Sequence, residues 1–301
     1  MLEQKKVAVI IVSWNSKKLL EVCLGAVFKN TAYKNFEVIV ADNASVDGSA
    51  NMVEKNFPTV LLVKNRKNLG FAGANNVVFE KFMADYYFLL NPDTVVTPGW
   101  LEKAVELAES DERIGILGCT EVFFDKGGEK NLSGKIAMDV RTVLGGMALI
   151  KSGVLENVGL FDEKNFSPAY GEETDLCFRA RHSGFRVVQA DIPIIHHGSA
   201  VITPQLGLDR RIFLNEYHRM KVFLFNLSFF EFLEFAPGLS LNFLKSIKNL
   251  KTHILLRAYI KALFELNTVL FERKKRKEKA KVVYKKLWGK KVGNGVKRCL
   301  E

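Results

Sequence analysis

The chain has 301 residues, 44 Lys or Arg against 33 Asp or Glu, a formal net charge of +11 and 48% hydrophobic residues, enough for one large core or two small ones. Four scattered cysteines, Cys23, Cys119, Cys177 and Cys299, lack metal-ligand spacing and fit reduced cytosolic thiols rather than a disulfide scaffold. No run of about 18 uncharged apolar residues occurs, and the charged start Lys5-Lys6 leads into a short apolar strand, so neither a transmembrane helix nor a signal peptide is expected. In chain order, a first strand from Val7 to Val12 ends in Ser13-Trp14-Asn15-Ser16, and a helix follows over about 18–28. A second strand from Phe36 ends in Asp42-Asn43, and the next helix starts near Ser49, capped by Asp47 or Ser49. A third strand, Val60 to Val63, leads to Asn65-Arg66 and then to the stretch from Asn68 to Asn76. This strand–helix alternation predicts a doubly wound α/β sheet in which each strand delivers polar residues at its carboxyl end.

The fourth strand, Tyr86 to Leu90, is apolar or aromatic throughout, as expected when both faces are covered. Pro92 stops its ladder, because proline has no N–H to give. Ligands of open α/β sheets sit outside the carboxyl ends of the strands, which puts Asp93 where a hard cation and its phosphates would be held. The alternative is that Asp93 only caps the helix starting near Trp100.

The motifs Val12 to Ser16, Asp42 to Ser49, Asn68 to Asn76 and Leu90-Asn91-Pro92-Asp93-Thr94 are followed in the second half by four more. These are Leu144 to Ile150, Val158 to Glu163, Tyr170 to Arg181 and Ile194 to Ser199. In this order they resemble the family 2 glycosyltransferases, in particular the rhamnosyltransferase-like branch that builds bacterial and archaeal surface glycans. The resemblance covers about residues 5–225. It implies a GT-A fold, a mixed doubly wound α/β sheet over 1–215, with a helical extension, Phe-rich and then basic, over 216–301.

The resemblance also implies roles. Ser13, Asn15, Asp42 and Asn43 line the pocket for base and ribose; Arg66, Asn68 and Gly70 form a loop over the nucleotide, with Asn75 nearby. Asp93 is the metal-binding end of a DxD-type signature, written here Asn91-Pro92-Asp93. Asn91 offers an amide oxygen without charge, so the expected cation, magnesium or manganese, is held by one carboxylate plus diphosphate oxygens and water. One of the adjacent pair His196 and His197 completes the site. Side chains alternate along an extended segment, so only one of them can face it, and His196 is favoured. His182, His218 and His253 read as ordinary helix histidines.

Sugar transfer needs charge neutralised on a departing diphosphate and a base for the attacking hydroxyl. Asp93 suits the first task. Glu172, Glu173 and Asp175 suit the second, with Glu173 favoured as base, Glu172 second, and Asp175 structural or sugar-binding. Family members usually carry Asp where this chain has Glu173, and the two acids differ little in intrinsic pKa. The same acids would also favour the start of a helix over 174–183 through its dipole. Arg179 and Arg181 are expected to pair with this cluster or with Asp162.

Between Arg273 and Arg298 stand thirteen Lys or Arg and one acid, so the rest of the chain is about neutral. A basic block behind Phe-rich amphipathic segments reads as an anchor on an anionic membrane surface. The alternative is a solvated basic helix that packs on nothing, or packs on a sister chain in a homodimer. The expected protein is an inverting hexosyl- or rhamnosyltransferase, cytoplasmic and peripheral on the inner membrane face. It would take a nucleotide diphosphate sugar as donor and a glycan or lipid-linked acceptor. The alternatives are a sugar-nucleotide-binding protein without catalysis and a nucleic-acid binder using the tail. No RNA or DNA module precedes the tail, so nucleic acid is not an expected partner.

Overall fold

A computed structural model describes residues 4–123, 136–197, 207–248 and 251–276. Most of the basic tail lies outside the described residues. The chain divides into two compact units, Met1–Glu163 with Glu172–Val201, and Lys164–Gly171 with Ile202–Glu301.

The first unit opens with β1 (Val7–Ser13), α1 (Lys17–Asn30), β2 (Phe36–Asp42), α2 (Ser49–Asn56), β3 (Leu61–Lys64), α3 (Gly70–Lys81) and β4 (Tyr86–Leu90). Next come β5 (Thr94–Val96), α4 (Trp100–Glu109), β6 (Ile114–Phe123), β7 (Ile136–Asp139), β8 (Met147–Lys151) and α5 (Ser152–Val158). A short helix α6 (Glu163–Phe166) lies almost wholly in the second unit, after which α7 (Glu172–His182) and β9 (Arg186–His196) belong to the first. Among the described residues the strands form one nine-stranded sheet ordered β3-β2-β1-β4-β8-β6-β9-β5, with β7 also on β9.

Strands β3, β2, β1 and β4 are mutually parallel, so their carboxyl ends lie along one edge. β8 is antiparallel to both β4 and β6, whereas β9 runs parallel to β6. The sheet is therefore mixed. β4 shows why its sequence lacks alternation. Tyr86, Phe88 and Leu90 enter the core under α1, α2 and α4. Tyr87 and Leu89 enter the core under α3, α5 and α7. Both faces are covered, and each large apolar side chain so buried contributes about 1.5–3 kcal/mol. Phe88 packs edge-on against Trp100, with centroids 4.5 Å apart.

The second unit contains α8 (Leu208–Asn226), α9 (Phe229–Lys248), α10 (Thr252–Phe264) and a helical stretch over 266–276. Tyr217 of α8 packs on Ala258 and Ala262 of α10. The Tyr217 hydroxyl donates to Glu265 at 2.5 Å, and Lys221 pairs with the same carboxylate at 3.3 Å. α9 continues through Pro237.

Candidate active site

The polar strand ends are tied to one another. Ser13 and Asp42 end β1 and β2 in direct register. The Asn43 N–H donates to the Ser13 carbonyl at 2.8 Å. Asn43 Nδ2 donates to the Gly70 carbonyl at 3.1 Å, and its Oδ1 accepts from Asn65 Nδ2 at 2.9 Å. Asn43, through its backbone and side chain together, thus ties the end of β1 and the segment after β3 to the start of α3. Asn15 and Ala44, at φ +48° and +60°, occupy the left-handed region that L residues seldom adopt. Asn15 is held there from both sides: its N–H donates to Ser45 Oγ, and its Oδ1 accepts from the Val46 N–H. Asp47 accepts from the N–H groups of Lys17 and Ser49 at 2.9 and 3.0 Å, so it serves the starts of both α1 and α2.

This frame leaves some acceptors for a ligand. Asp42 is 4% exposed; its Oδ2 accepts from the Ser45 N–H, while its buried Oδ1 has no hydrogen-bond partner. The Asn75 Oδ1 is in the same state, deeper in α3, with its Nδ2 donating to the Phe71 carbonyl. Asn68 Oδ1 caps the Gly70 N–H at 2.8 Å, and Arg66 is exposed.

A second cluster lies at the end of β4. Asp93 is buried, and its carbonyl accepts from the His197 N–H at 2.9 Å. β5 places Thr94 opposite His196 of β9. His196 Nε2 lies 3.2 Å from Asp93 Oδ1, and its Nδ1 lies 2.5 Å from Glu121 Oε1. Burial opposes charge on the ring, but the carboxylates of Asp93 and Glu121 outweigh it and hold His196 above its ordinary pKa. Glu121, near the end of β6, is a site residue the sequence reading missed. Its signal was that of the others, a carboxylate at a strand's carboxyl end.

The donor set fits a divalent cation in part. No group of three or more His, Cys, Asp or Glu side chains converges as a metal set among the described residues. Asp93 and His196 offer one oxygen and one nitrogen. Glu121 orients the imidazole, as carboxylates commonly do behind a metal-binding histidine. The remaining positions would fall to a ligand's phosphates and water.

The acidic cluster reaches this loop through two glycines. A Cβ on Gly146 would lie 2.2 Å from the Asn91 amide, and one on Gly145 2.9 Å from the Glu173 Cβ. The Asn91 N–H also donates to the Gly146 carbonyl at 2.9 Å. Burial pushes the Glu173 carboxyl above its ordinary pKa, partly opposed by a hydrogen bond from backbone. Glu172 is buried in the first turn of α7. Asp175 is fully buried and accepts from Arg179 Nε at 2.8 Å. Arg179 also donates to the carbonyls of Val158, Gly159 and Leu160, so this pair clamps α7 onto the turn before Phe161. Arg181 donates instead to the Val140 carbonyl at 3.2 Å. Cys23, Cys119 and Cys177 are buried free thiols; burial pushes Cys23 and Cys177 up to about 12. Cys299 lies outside the described residues.

Comparison with known proteins places the chain in a family. Residues 8–165 match Glycosyl transferase family 2. The chain belongs to this family. An uncharacterized glycosyltransferase of Haemophilus influenzae is 27% identical over 124 residues, 40% of this chain and 38% of that protein. The O-antigen biosynthesis protein RfbC of Myxococcus xanthus is 24% identical over 226 residues, 65% of this chain and 17% of that protein. The chain thus spans well under half the length of these relatives. Among solved structures, the mannosyltransferase PcManGT from Pyrobaculum calidifontis, in complex with GDP-Man and Mn2+, superposes with a TM-score of 0.61 at 18% identity. The match covers 96% of this chain and 89% of that one. The fold of this family 2 glycosyltransferase is therefore GT-A, a mixed α/β sheet followed by C-terminal helices. The rhamnosyltransferase-like branch is not singled out by these relatives.

Proposed function

We propose that the protein transfers a sugar, hexose or rhamnose, from a nucleotide diphosphate sugar to a hydroxyl of a glycan or lipid-linked acceptor in surface polysaccharide synthesis. Inversion at the anomeric carbon is part of the proposal. The observation that carries it is the Gly145-Gly146 turn, which has Asn91 on one residue and Glu173 on the other. A leaving-group loop and a carboxylate of raised pKa thus belong to one local frame.

Ser13, Asn15, Asp42 and Asn43 would hold the nucleoside, with the unpartnered Asp42 Oδ1 accepting from a base or ribose donor. Asp93 and His196 would hold a magnesium or manganese ion, which when bound would supply positive charge against the departing diphosphate. Glu173 would take the proton of the acceptor hydroxyl. The acceptor oxygen then bonds to the anomeric carbon while that carbon's bond to the diphosphate breaks, and a single displacement inverts the centre. Glu172 would support Glu173, and Asp175 would hold α7 in place through Arg179.

The deciding experiment is a thermal-shift and transfer screen of UDP-, GDP- and dTDP-sugars with manganese or magnesium. One donor is expected to raise the melting temperature; at a hundredfold excess over its dissociation constant a ligand adds about 2.7 kcal/mol of stability. Asp93→Ala is expected to remove the metal-dependent part of the shift. A donor shift without any transfer to glycan or lipid-linked acceptors would favour the non-catalytic reading.

A further inference from the structure

We propose that the helical second unit docks on an anionic lipid surface through apolar stripes on α9 and α10. On α10 the face toward α8 is apolar and buried, through Ile254, Leu255, Ala258 and Ala262. The opposite face is apolar as well. Leu256, Ile260, Leu263 and Phe264 recur at three- and four-residue spacing, and Leu263 and Phe264 are 60% and 86% exposed. On α9, Phe230 is 78% exposed, and Leu241, Leu244 and Ile247 are more than half exposed at three-residue steps. Exposed apolar side chains that recur at helical spacing, opposite a face already buried, mark an interaction surface.

Charge selects the occupant. Residues 235–264 contain five Lys or Arg and no Asp or Glu. Arg257 is exposed beside the α10 stripe, and Lys274 and Lys275 are exposed on the following helical stretch. Glu231 and Glu234 stand near Phe230 and Glu265 follows Phe264, but cations outnumber acids along this stretch. Exposed apolar side chains with an excess of nearby cations fit a bilayer interface with anionic headgroups, each nearby cation contributing about 1 kcal/mol. A second copy would bring the same positive charges against these. No described helix is long and apolar enough to cross a membrane, so the unit would lie in the interface rather than span it.

The test is co-sedimentation of the full chain with vesicles of phosphatidylglycerol and phosphatidylcholine, or of phosphatidylcholine alone. The wild type is expected to bind the anionic vesicles more tightly. The double variant Leu263→Ser, Phe264→Ser is expected to weaken that binding at least tenfold. Both side chains are exposed, so its melting temperature should stay near the wild-type value. Arg257→Glu is expected to weaken binding at low salt and to have little effect at 1 M salt. Wild-type binding unchanged in the double variant would assign attraction to the basic tail alone and overturn the proposal. So would absent vesicle binding together with a dimer that the double variant dissociates. Neither result bears on sugar transfer, which is read separately on a soluble acceptor.

Discussion

Asn91 and Glu173 press against adjacent glycines, Gly146 and Gly145, too closely for a Cβ at either. A Cβ on Gly146 would come 2.2 Å from Asn91 and one on Gly145 2.9 Å from Glu173, so neither position tolerates a side chain without displacing its neighbour. The Asn91 loop after β4 and the acidic start of α7 are thereby spaced by the absence of two side chains.

Gly146→Ala should therefore act on chemistry more than on folding. Overpacking of this kind costs about 1–3 kcal/mol, which the domain can survive, but the Asn91 loop must move. Transfer should fall at least tenfold while nucleoside diphosphate still binds without metal. Full activity in this variant would show that the spacing of the Asn91 loop is not critical.

Much of this was legible because it is local. The apolar run over 86–90 in β4 and the polar ends of β1 and β2 are each contiguous in sequence, and their meaning follows from strand geometry alone. That only one of His196 and His197 can face Asp93 follows from side-chain alternation; which of the two does so does not. What was not legible depends on pairing register. Glu121 lies 75 residues from His196 and meets it only because β6 runs parallel to β9 beside β5. The antiparallel β8 between β4 and β6 carries no periodic signature of its direction. α7 begins at Glu172 rather than Thr174, because its first-turn acids favour the helix start.

Glu121→Gln tests that missed residue. It keeps the size of the side chain but withdraws the negative charge from His196 Nδ1. Loss of such an orienting partner typically costs 10- to 100-fold in metal affinity. The manganese concentration giving half-maximal transfer should rise by about that factor, with maximal turnover at saturating metal largely restored. An unchanged manganese curve would remove Glu121 from the site.

Glu173→Gln separates base from scaffold. Its carboxyl is raised by burial, so the acid limb of the pH–rate profile should lie above the ordinary glutamate range in the wild type. Replacing a positioned base should lower turnover by about 10²- to 10⁴-fold and remove that limb, with donor binding intact. A larger loss in Glu172→Gln would move the base to Glu172.

Asp42→Asn addresses the nucleoside end. Its unpartnered Oδ1 is an acceptor held in a buried frame. The amide replaces a charged acceptor by a neutral one, and hydrogen bonds to charged groups contribute about 1.5–3 kcal/mol. Donor affinity should fall about 10- to 100-fold in calorimetric titration, with turnover at saturating donor little changed. Equal affinity would mean that Oδ1 meets no donor of the nucleotide.

His218 gives the second unit a pH dependence of known sign. It is buried on α8, and its Nδ1 donates to the carbonyls of Ala169 and Tyr170, both at 2.9 Å. Those bonds steady the turn in which Tyr170 and Gly171 have φ of +74° and +93°, immediately before Glu172 in sequence. Burial, aided by Lys221 and Lys261 and opposed by the two carbonyls, lowers its pKa from 6.5 to about 4. Above pH 6.5 the ring is neutral in both folded and unfolded chains, and its contribution is complete. As pH falls from 6.5 to 4 the unfolded chain takes up a proton that the folded chain refuses, so stability is lost with acid. The full loss is about 3 kcal/mol at 1.36 kcal/mol per unit. Urea unfolding between pH 7.5 and 4.5, followed by helical signal, should show this slope in the wild type and a flatter one in His218→Asn. Subtracting the two curves cancels the other titrating groups. A difference curve that stays flat across this range would show that His218 is as easily protonated folded as unfolded.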